Sequence, residues 1–222
     1  MIIDPDALDA DEVYRLLCGI VVPRPIAWVT SAAAEGGVNL APFSCFTFLS
    51  KLPPMIGINV GPRGDGYKDT ARNIHESKEY VVNIGDESMV EPIHLSSEEH
   101  PPGVSEVVEL GLDVIPGERV SVPRLKATPI SMECRLRHVV RYGRVGEEFI
   151  VGEVLVFHVR DELYDNGKID TALLRPVARL GGPKYASLGP ILTMPSVHRT
   201  PKKVRPDWTP PFPDEPTVIY PA

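Results

Sequence analysis

Residues 61 to 73, with the sequence GPRGDGYKDTARN, carry the most informative group of polar and charged side chains in the chain. Three of them are basic: Arg63, Lys68 and Arg72. The glycines permit a tight, open backbone, and the following residues predict a helix over about 69–77 that Asp69 or Thr70 could cap. Because the exposed N–H groups of a helix start favour an anion, the segment predicts an anion-binding loop. An ordinary solvent-exposed turn with a good helix cap would have the same composition.

This loop is not a nucleotide-hydrolysing P-loop. Gly61 and Gly66 have the separation of the two glycines in G-x-x-x-x-G-K-[ST]. Tyr67, however, stands where the lysine must follow. The loop therefore lacks the signature of ATP or GTP hydrolysis.

Small polar side chains occur in two apolar segments that precede the loop. They are Thr30 and Ser31 at the end of IAWVTS, and Asn39, Ser44 and Ser50 within NLAPFSCFTFLSKLPPM, residues 39 to 55. In the second segment apolar residues occupy both the odd and the even positions of the predicted strand, so we expect both of its faces to be covered. A buried polar group without a partner costs about 1 to 3 kcal/mol, so these groups need protein, water or a ligand. Hydroxyls at strand ends can hold phosphate oxygens while lysine and a helix N-terminus supply the charge.

The histidines and cysteines form no pattern typical of a metal centre or a nucleophile. No HExxH or G-x-S-x-G motif is present, so we predict no catalytic metal and no nucleophilic serine. The three cysteines, Cys18, Cys45 and Cys134, are far apart and lack a CxxC spacing, so we interpret them as reduced thiols. His138 and His158 lie on a predicted long hairpin and are interpreted as partly buried structural histidines, with a ligand contact as the alternative.

The composition limits the classes of partner. The chain has 222 residues and a formal net charge of -7, with its basic residues scattered, so we expect neither nucleic acid nor an anionic membrane surface as a partner. The N-terminus has no apolar signal region, and no uncharged run approaches the length of a membrane span. A cytoplasmic location is the expectation.

The chain divides into a domain over residues 1–194 and a proline-rich C-terminal arm over 195–222. The arm holds eight of the 24 prolines, which disfavour regular helix and central strand. It also carries four large apolar residues: Trp208, Phe212, Ile219 and Tyr220. We therefore predict an extended arm packed on the body or on a second subunit, with a disordered extension as the alternative.

Strand signals dominate the domain, and the predicted helices are short. In ISMECRLRHVVRY, residues 130 to 142, apolar and polar residues alternate, which predicts a half-buried strand. Residues 143–147 turn this strand back into FIVGEVLVFHV, and residues 32–37 form a second hairpin. Helices are predicted over about 9–18, 69–77, 88–95 and 105–110. The pattern favours a mainly β fold, an antiparallel barrel with short peripheral helices.

Several motifs in this order resemble the flavin reductase-like family of FMN-binding split barrels. They are VPRPIAWVTS (22–31), NLAPFSCF (39–46), S-x-x-PP (50–54), KDTARNI (68–74), EYVVNI (79–84) and LLRPVARLGGPKYA (173–186). The resemblance extends from about residue 14 to residue 186 and excludes the proline-rich arm. It implies an antiparallel split β-barrel that forms a homodimer with one FMN per subunit at the interface.

The resemblance also implies which residues bind the cofactor. The predicted FMN-binding residues are Thr30, Ser31, Asn39, Leu40, Ala41, Pro42, Phe43, Ser44, Ser50, Lys68, Thr70 and Asn73. Thr30 and Ser31 would contact the flavin, residues 39–44 would form the wall against its ring, and Ser50, Lys68 and Thr70 would hold its phosphate. Asp69 would fix the loop. Three further motif residues, Arg24, Arg179 and Tyr185, have no assigned role.

The resemblance implies an FMN-dependent oxidoreductase in which no side chain need act as an acid or base. The flavin would accept a hydride from NADH or NADPH and pass electrons to a small-molecule or protein acceptor. A strand-linked G-x-G-x-x-G motif for the nicotinamide nucleotide is absent. Two alternatives therefore remain open: an FMN protein that relays electrons without nicotinamide turnover, and a barrel that binds a ligand without redox chemistry.

Overall fold

The computed structural model describes residues 1–34, 36–64, 66–101 and 104–195. Its strands are β1 Arg24–Pro25, β2 Ala27–Ala32, β3 Val38–Phe43, β4 Phe46–Lys51, β5 Pro54–Val60, β6 Glu79–Ile84, β7 Val114–Ile115, β8 Arg124–Leu125, β9 Ile130–Tyr142, β10 Glu147–Val159, β11 Tyr164–Asp165, β12 Lys168–Ile169, β13 Ala178–Arg179 and β14 Tyr185–Ala186. Its α-helices are α1 Ala10–Ile20, α2 Asp69–Ser77, α3 Val90–Leu95, α4 Glu106–Glu109 and α5 Thr171–Leu174. Short 3-10 turns occupy Pro5–Ala7, Glu87–Met89 and Asp161–Leu163.

Seven strands form one antiparallel sheet in the order β3-β2-β6-β9-β10-β5-β4. β3 and β4 are its two edges, yet only Ser44 and Cys45 separate them along the chain. The edges must therefore lie close together, which curls the sheet into a barrel. The Asn59 N–H also donates to the Cys45 carbonyl across this gap, at 2.8 Å. Because β3 and β4 themselves do not pair, the barrel is split, and the predicted fold is confirmed.

The interior of the barrel is filled by side chains from all the major strands and from α2. Val29, Ile58, Val82 and Ile150 are buried there, together with Ile74 of α2. Burial of such aliphatic side chains stabilises the fold by about 1.5 to 3 kcal/mol each. α2 thus closes the barrel with its apolar face and leaves its N-terminus at the surface.

Segment 39–55 departs from the prediction of one strand covered on both faces. It forms two strands, because the chain turns at Ser44 and Cys45 from one edge of the sheet to the other. β3 is largely covered, but on β4 the side chain of Phe48 is 82% exposed, and Leu52 just beyond it is 87% exposed. The expectation was wrong for β4, since an edge strand of this single chain has a neighbour on one side only.

The long hairpin of β9 and β10 is confirmed, and so is the hairpin of β2 and β3. The prediction that β9 is half-buried is wrong for its first half, where Ser131 and Glu133 are as buried as Met132. Residues 118–120 cover this part of the strand, and their N–H groups donate to the Glu133 carboxylate at 2.7 to 3.1 Å. The alternation of apolar and polar residues along a strand cannot predict that a loop from elsewhere in the chain covers its polar face.

A second, three-stranded sheet in the order β1-β13-β14 joins the N-terminal and C-terminal parts of the compact unit Met1–Gly189. A second unit begins at Pro190, and the predicted arm lies outside the described residues from residue 196 onward. Every helix among the described residues is too short or too polar to cross a membrane.

Candidate functional site

A cleft of about 120 Å³ opens between β3 and the N-terminal end of α2, and we name it the helix cleft. It is lined by Asn39, Ala41, Pro42, Phe43, Arg63, Lys68, Asp69, Thr70, Ser96, Ser97, Glu98, Glu99, His100 and Glu106. Two segments predicted to contribute to one site, the wall 39–44 and the loop 61–73, therefore meet here, although Leu40 and Ser44 of the wall do not line this cleft. The fold brings them together because β3 pairs with β2 and α2 packs against the same edge of the barrel.

The basic side chains around the helix cleft are not equivalent. Arg63 and Arg72 both pair with the Asp69 carboxylate, and Arg63 also donates to the His100 carbonyl at 2.9 Å. Lys68, by contrast, forms no ion pair with any described carboxylate. Lys68 is thus the cation that remains available to a ligand, while Asp69 fixes the loop as the sequence suggested.

The start of α2 corrects the predicted cap. The helix begins at Asp69 with Lys68 as its N-cap residue, and no side chain caps it. Asp69 is occupied by two arginines, and Thr70 is already inside the helix, so neither serves as the predicted cap. An uncapped helix start carries partial positive charge and free donors, which suits an anion next to Lys68.

A buried polar network lies behind this helix start. The Asn39 side-chain amide donates to the Thr70 hydroxyl at 2.9 Å and approaches Ser31 Oγ at 3.4 Å. The Asn73 amide donates to the same Ser31 oxygen at 3.2 Å, whereas Asn73 Oδ1 has no partner among the described residues. Ser31 and Asn73 are essentially fully buried, so they orient Asn39 and Thr70 and do not themselves line the helix cleft.

Thr30 lies on the opposite face of β2, away from this network. Its hydroxyl donates to the Pro123 carbonyl at 2.7 Å and accepts from the Asn83 amide at 3.4 Å. The structure therefore separates Thr30 from the other predicted contacts, because neighbouring residues of a strand point to opposite faces. The prediction of a cofactor contact by Thr30 remains a prediction.

Leu40 does not line the helix cleft. The side chain is fully buried among Ile26, Trp28 and Ile93. Its N–H donates to the Glu106 carboxylate at 2.9 Å, and burial raises the pKa of Glu106 above its ordinary value. Glu106 lines the helix cleft, and the sequence offered no signal for it, since it lies 66 residues from its partner.

A second cleft of about 180 Å³ adjoins the first and shares Pro42 and Ser97 with it. We name it the arginine cleft; it is lined by Tyr14, Ile26, Pro42, Ser44, Ile93, Ser97, Arg179 and Tyr185. Five of these residues, Ile26, Pro42, Ser44, Arg179 and Tyr185, belong to the motifs singled out in the sequence. Ser44 is held by the Arg24 guanidinium, whose Nε donates to Ser44 Oγ at 3.2 Å.

The remaining candidates lie outside the two clefts. Ser50 is on β4, where its hydroxyl accepts from the Leu52 N–H at 3.3 Å. His158 lies 2.6 Å from the buried Glu133 carboxylate, in agreement with a structural histidine. His138 lies on β9, half-buried and opposite Val151. Among the described residues no group of acidic, histidine and cysteine side chains is arranged to hold a metal ion.

Comparison with known proteins gives the following similarities. The model of the flavin reductase like domain matches residues 19–174. An uncharacterized protein of Halalkalibacterium halodurans is 47% identical over 194 residues, which cover 85% of this chain and 93% of that protein.

Two solved structures are similar over most of the chain. Nitrilotriacetate monooxygenase component B from Bacillus cereus superposes with a TM-score of 0.85 at 37% identity and covers 87% of this chain and 98% of its own. The 2-nitrobenzoate 2-nitroreductase NbaA of Pseudomonas fluorescens superposes with a TM-score of 0.80 at 33% identity, over 90% of this chain and 100% of its own.

Proposed function

Because this chain belongs to the family of the flavin reductase-like domain, we propose that it is an FMN-binding oxidoreductase that uses NADH or NADPH as electron donor. The two similar solved structures, a monooxygenase component and a nitroreductase by their names, support redox chemistry as the general class. The acceptor would be a small molecule or a protein. We expect the protein to work in the cytoplasm.

The helix cleft carries this proposal. Lys68 has no described carboxylate partner, and the helix start beside it has no side-chain cap. Charge-assisted hydrogen bonds from lysine and from helix N–H groups are the donors that a phosphate dianion requires. Ala41, Pro42 and Phe43 form an adjoining apolar wall, which suits a flat ring system. The residues present therefore fit FMN at both its ends.

The buried Asn73 amide gives a second test of that fit. Its Oδ1 atom has no hydrogen-bond partner among the described residues, and a buried acceptor in this state costs about 1 to 3 kcal/mol. FMN carries hydroxyl and imide donors as well as its phosphate, and a small neighbouring cleft lined in part by Asn73 shares Asn39 and Asp69 with the helix cleft, so FMN that extends there would offer this acceptor a partner. A purely anionic ligand would not.

A bound FMN would supply the hydride and electron chemistry, and the protein supplies binding and orientation. Asp69 pairs with Arg63 and Arg72, whereas Lys68 pairs with none of the described carboxylates and would meet the phosphate with its charge. Hydrogen bonds within the buried network of Ser31 and Asn73 fix the orientation of the Asn39 side chain. Asn39 in turn donates to the Thr70 hydroxyl. No acid or base is assigned to any side chain.

The size of the clefts supports a homodimer. The helix cleft and the arginine cleft have volumes of about 120 and 180 Å³, whereas pockets for ligands of this size are typically about 300 to 1,000 Å³. Phe48 and Leu52, which follow the wall residues 39–44 in the sequence, have exposed apolar side chains. We propose that a second copy of the chain completes the site. Sedimentation of the protein at micromolar concentration should give the mass of two chains, and a monomer that binds FMN fully would contradict this part.

The function is tested by an absorption spectrum from 300 to 550 nm, with FMN added if the purified protein is colourless. We expect a flavin spectrum that bleaches when NADH or NADPH is added without oxygen. A flavin that stays oxidised with both nucleotides but is reduced by dithionite would favour an electron relay. Failure to bind flavin would contradict the proposal and leave a barrel that binds another ligand.

A further inference from the structure

We propose that the arginine cleft is an anion subsite, in which Arg179 binds the carboxylate or phosphate group of the small molecule that exchanges electrons with the cofactor. The inference rests on the proposed function, since the helix cleft next to it is the candidate flavin site. The two clefts share Pro42 and Ser97, so a molecule held by Arg179 would adjoin the wall assigned to the flavin.

The first observation is an excess of positive charge. Arg24 and Arg179 lie directly opposite each other on β1 and β13. Like charges in that position destabilise a sheet, and buried charges are normally paired. Neither guanidinium forms an ion pair with a described carboxylate. The charge of this arginine pair is therefore not balanced by any carboxylate among the described residues.

The two arginines nevertheless have different roles. Arg24 is 6% exposed, and its donors are used by Ser44 Oγ and by the carbonyls of Cys18, Val21 and Leu180, at 2.6 to 3.2 Å. These acceptors are neutral and take four of the five guanidinium N–H donors, so Arg24 keeps its charge but has little donor capacity left for a ligand. It acts as a positioning residue that adds positive potential and fixes Ser44 at the cleft wall.

Arg179 has its charged group in the cleft lining and is held in a defined orientation. Its guanidinium carbon lies 4.7 Å from the centre of the Tyr185 ring, within the range of a cation–π interaction. The Tyr185 hydroxyl is in turn 3.2 Å from His94 Nδ1. Because stacking on a ring face leaves the edge of a guanidinium available, Arg179 can still donate two parallel hydrogen bonds to an anion.

The walls of the arginine cleft indicate the rest of the ligand. Ile26, Pro42 and Ile93 are apolar, and Tyr14 and Tyr185 present aromatic surface. A cleft with polar, apolar and aromatic wall residues and a single oriented cation favours a small, flat molecule that carries one anionic group. Two sources have this chemistry: an aromatic carboxylate that accepts electrons, and the nicotinamide dinucleotide that donates them.

The test uses the protein loaded with FMN and two redox-inactive probes, benzoate for the carboxylate source and ADP-ribose for the dinucleotide source. Each is titrated by calorimetry into the wild type, Arg179→Met and the control Arg144→Met, whose site lies in the exposed turn between β9 and β10. We expect Arg179→Met to weaken at least one probe by about tenfold or more, since a charge-assisted bidentate contact is lost. The probe that is weakened identifies the source. Benzamide, the neutral analogue of benzoate, should bind poorly to all three proteins.

The proposal is overturned if neither probe binds the wild type, if Arg179→Met and Arg144→Met bind both probes equally, or if benzamide equals benzoate and ADP-ribose is unaffected. Flavin binding is recorded separately from the absorption spectrum of each protein. If no flavin binds, the proposed function fails, but the calorimetric titrations still measure whether benzoate or ADP-ribose binds in the arginine cleft. Retention of the flavin spectrum in Arg179→Met also shows that the variant is folded.

Discussion

The two faces of β2 carry two polar networks that differ in one respect. On one face Asn83 makes four hydrogen bonds: its amide donates to the Trp28 carbonyl and to Thr30 Oγ1, and its oxygen accepts from the Leu125 N–H and from Ser131 Oγ. On the other face Asn73 donates to Ser31 and leaves its oxygen without a described partner. The first network is complete within the chain, and the second is not.

This difference distinguishes polar groups that stabilise the fold from polar groups that are available to a ligand. A complete network stabilises the fold and specifies which elements pack together, because every buried group has its partner. An incomplete network next to a cleft has room for a partner that the chain does not supply. Thr30 and Ser31 are adjacent in sequence and equally buried, yet the structure places them in these two different environments.

The complete network should be the more costly one to break. Asn83→Ala removes four hydrogen bonds and leaves buried donors and acceptors unpaired, so we expect the free energy of unfolding to fall by about 3 kcal/mol. Urea unfolding followed by far-UV circular dichroism measures it. Thr47→Ala, on the exposed edge strand, serves as the control with a change below about 0.5 kcal/mol. A loss of under about 1 kcal/mol for Asn83→Ala would contradict the comparison.

Glu133 is also a buried group with its hydrogen-bond partners in place, and its contribution to the stability of the protein depends on pH. Burial alone would raise the pKa of this carboxyl, but hydrogen bonds from the Glu118 N–H and from His158 outweigh it, and the pKa lies below its ordinary value of 4.5. A lowered pKa in the folded state stabilises the protein at all pH values above 4.5, and this stabilisation is lost as the pH falls through the folded pKa. We expect Glu133→Gln to cost about 2 kcal/mol at pH 7 and progressively less below pH 4.5.

Urea unfolding at pH 7, 5 and 4 measures this effect. The control is Glu162→Gln, whose carboxylate is 55% exposed and pairs with Arg160 at 3.6 Å. An unchanged difference between wild type and Glu133→Gln at every pH would show that the charge of Glu133 does not contribute.

Substitutions beside the incomplete network of Ser31 and Asn73 should change ligand affinity more than they change the free energy of unfolding. Lys68→Ala together with Thr70→Ala should weaken FMN by about tenfold or more and riboflavin much less, because only FMN presents a phosphate dianion. Quenching of flavin fluorescence measures both affinities. Lys126→Ala, at a lysine whose side chain is 63% exposed, is the control for a general loss of positive charge. Equal losses for FMN and riboflavin would refute the assignment of the phosphate site.

Asn73→Ala is the matched partner of Asn83→Ala and should have the smallest effect. It removes one hydrogen bond and one unpaired oxygen, so we expect a loss of about 1 kcal/mol without ligand. With saturating FMN the difference from wild type should grow, because only the wild type then gains a partner for Oδ1. Thermal unfolding with and without FMN measures the two differences. A difference that does not change on adding FMN would place Asn73 among the purely structural residues.

Much of the fold followed from the sequence, because the relevant signals are local. Alternation of apolar residues marked the strands, and glycines marked the hairpins at 32–37 and 143–147. Asp9 and Glu12 form a reciprocal capping box at the start of α1, which is another local arrangement of this kind. Such signals depend on residues only a few positions apart.

The candidate site was predicted in part. Loop 61–73 was identified from its composition and wall 39–44 from the family resemblance, and the fold brings parts of both into one cleft. Glu106 was missed because its partner, the Leu40 N–H, is far away in sequence. The cap assigned to Asp69 was wrong because two arginines compete for the same carboxylate, and only one of them lies close to it on the helix.

The sequence by itself determined the types of element, the hairpins and the group of residues that could bind an anion, because each of these depends on local spacing and on side-chain chemistry. The tertiary structure alone decided which polar groups find partners. Among the described residues Lys68 has no carboxylate partner while Arg63 and Arg72 pair with Asp69, Thr30 belongs to the interior network while Ser31 supports the cleft, and Arg179 faces Arg24 across a short sheet. Hydrogen bonds and ion pairs act over a few ångströms, and they join groups 42 residues apart at Ser31 and Asn73 and 156 residues apart at Arg24 and Leu180. Even near Asp69, where the competing arginines are 6 and 3 residues away, only the folded chain decides which side chains pair.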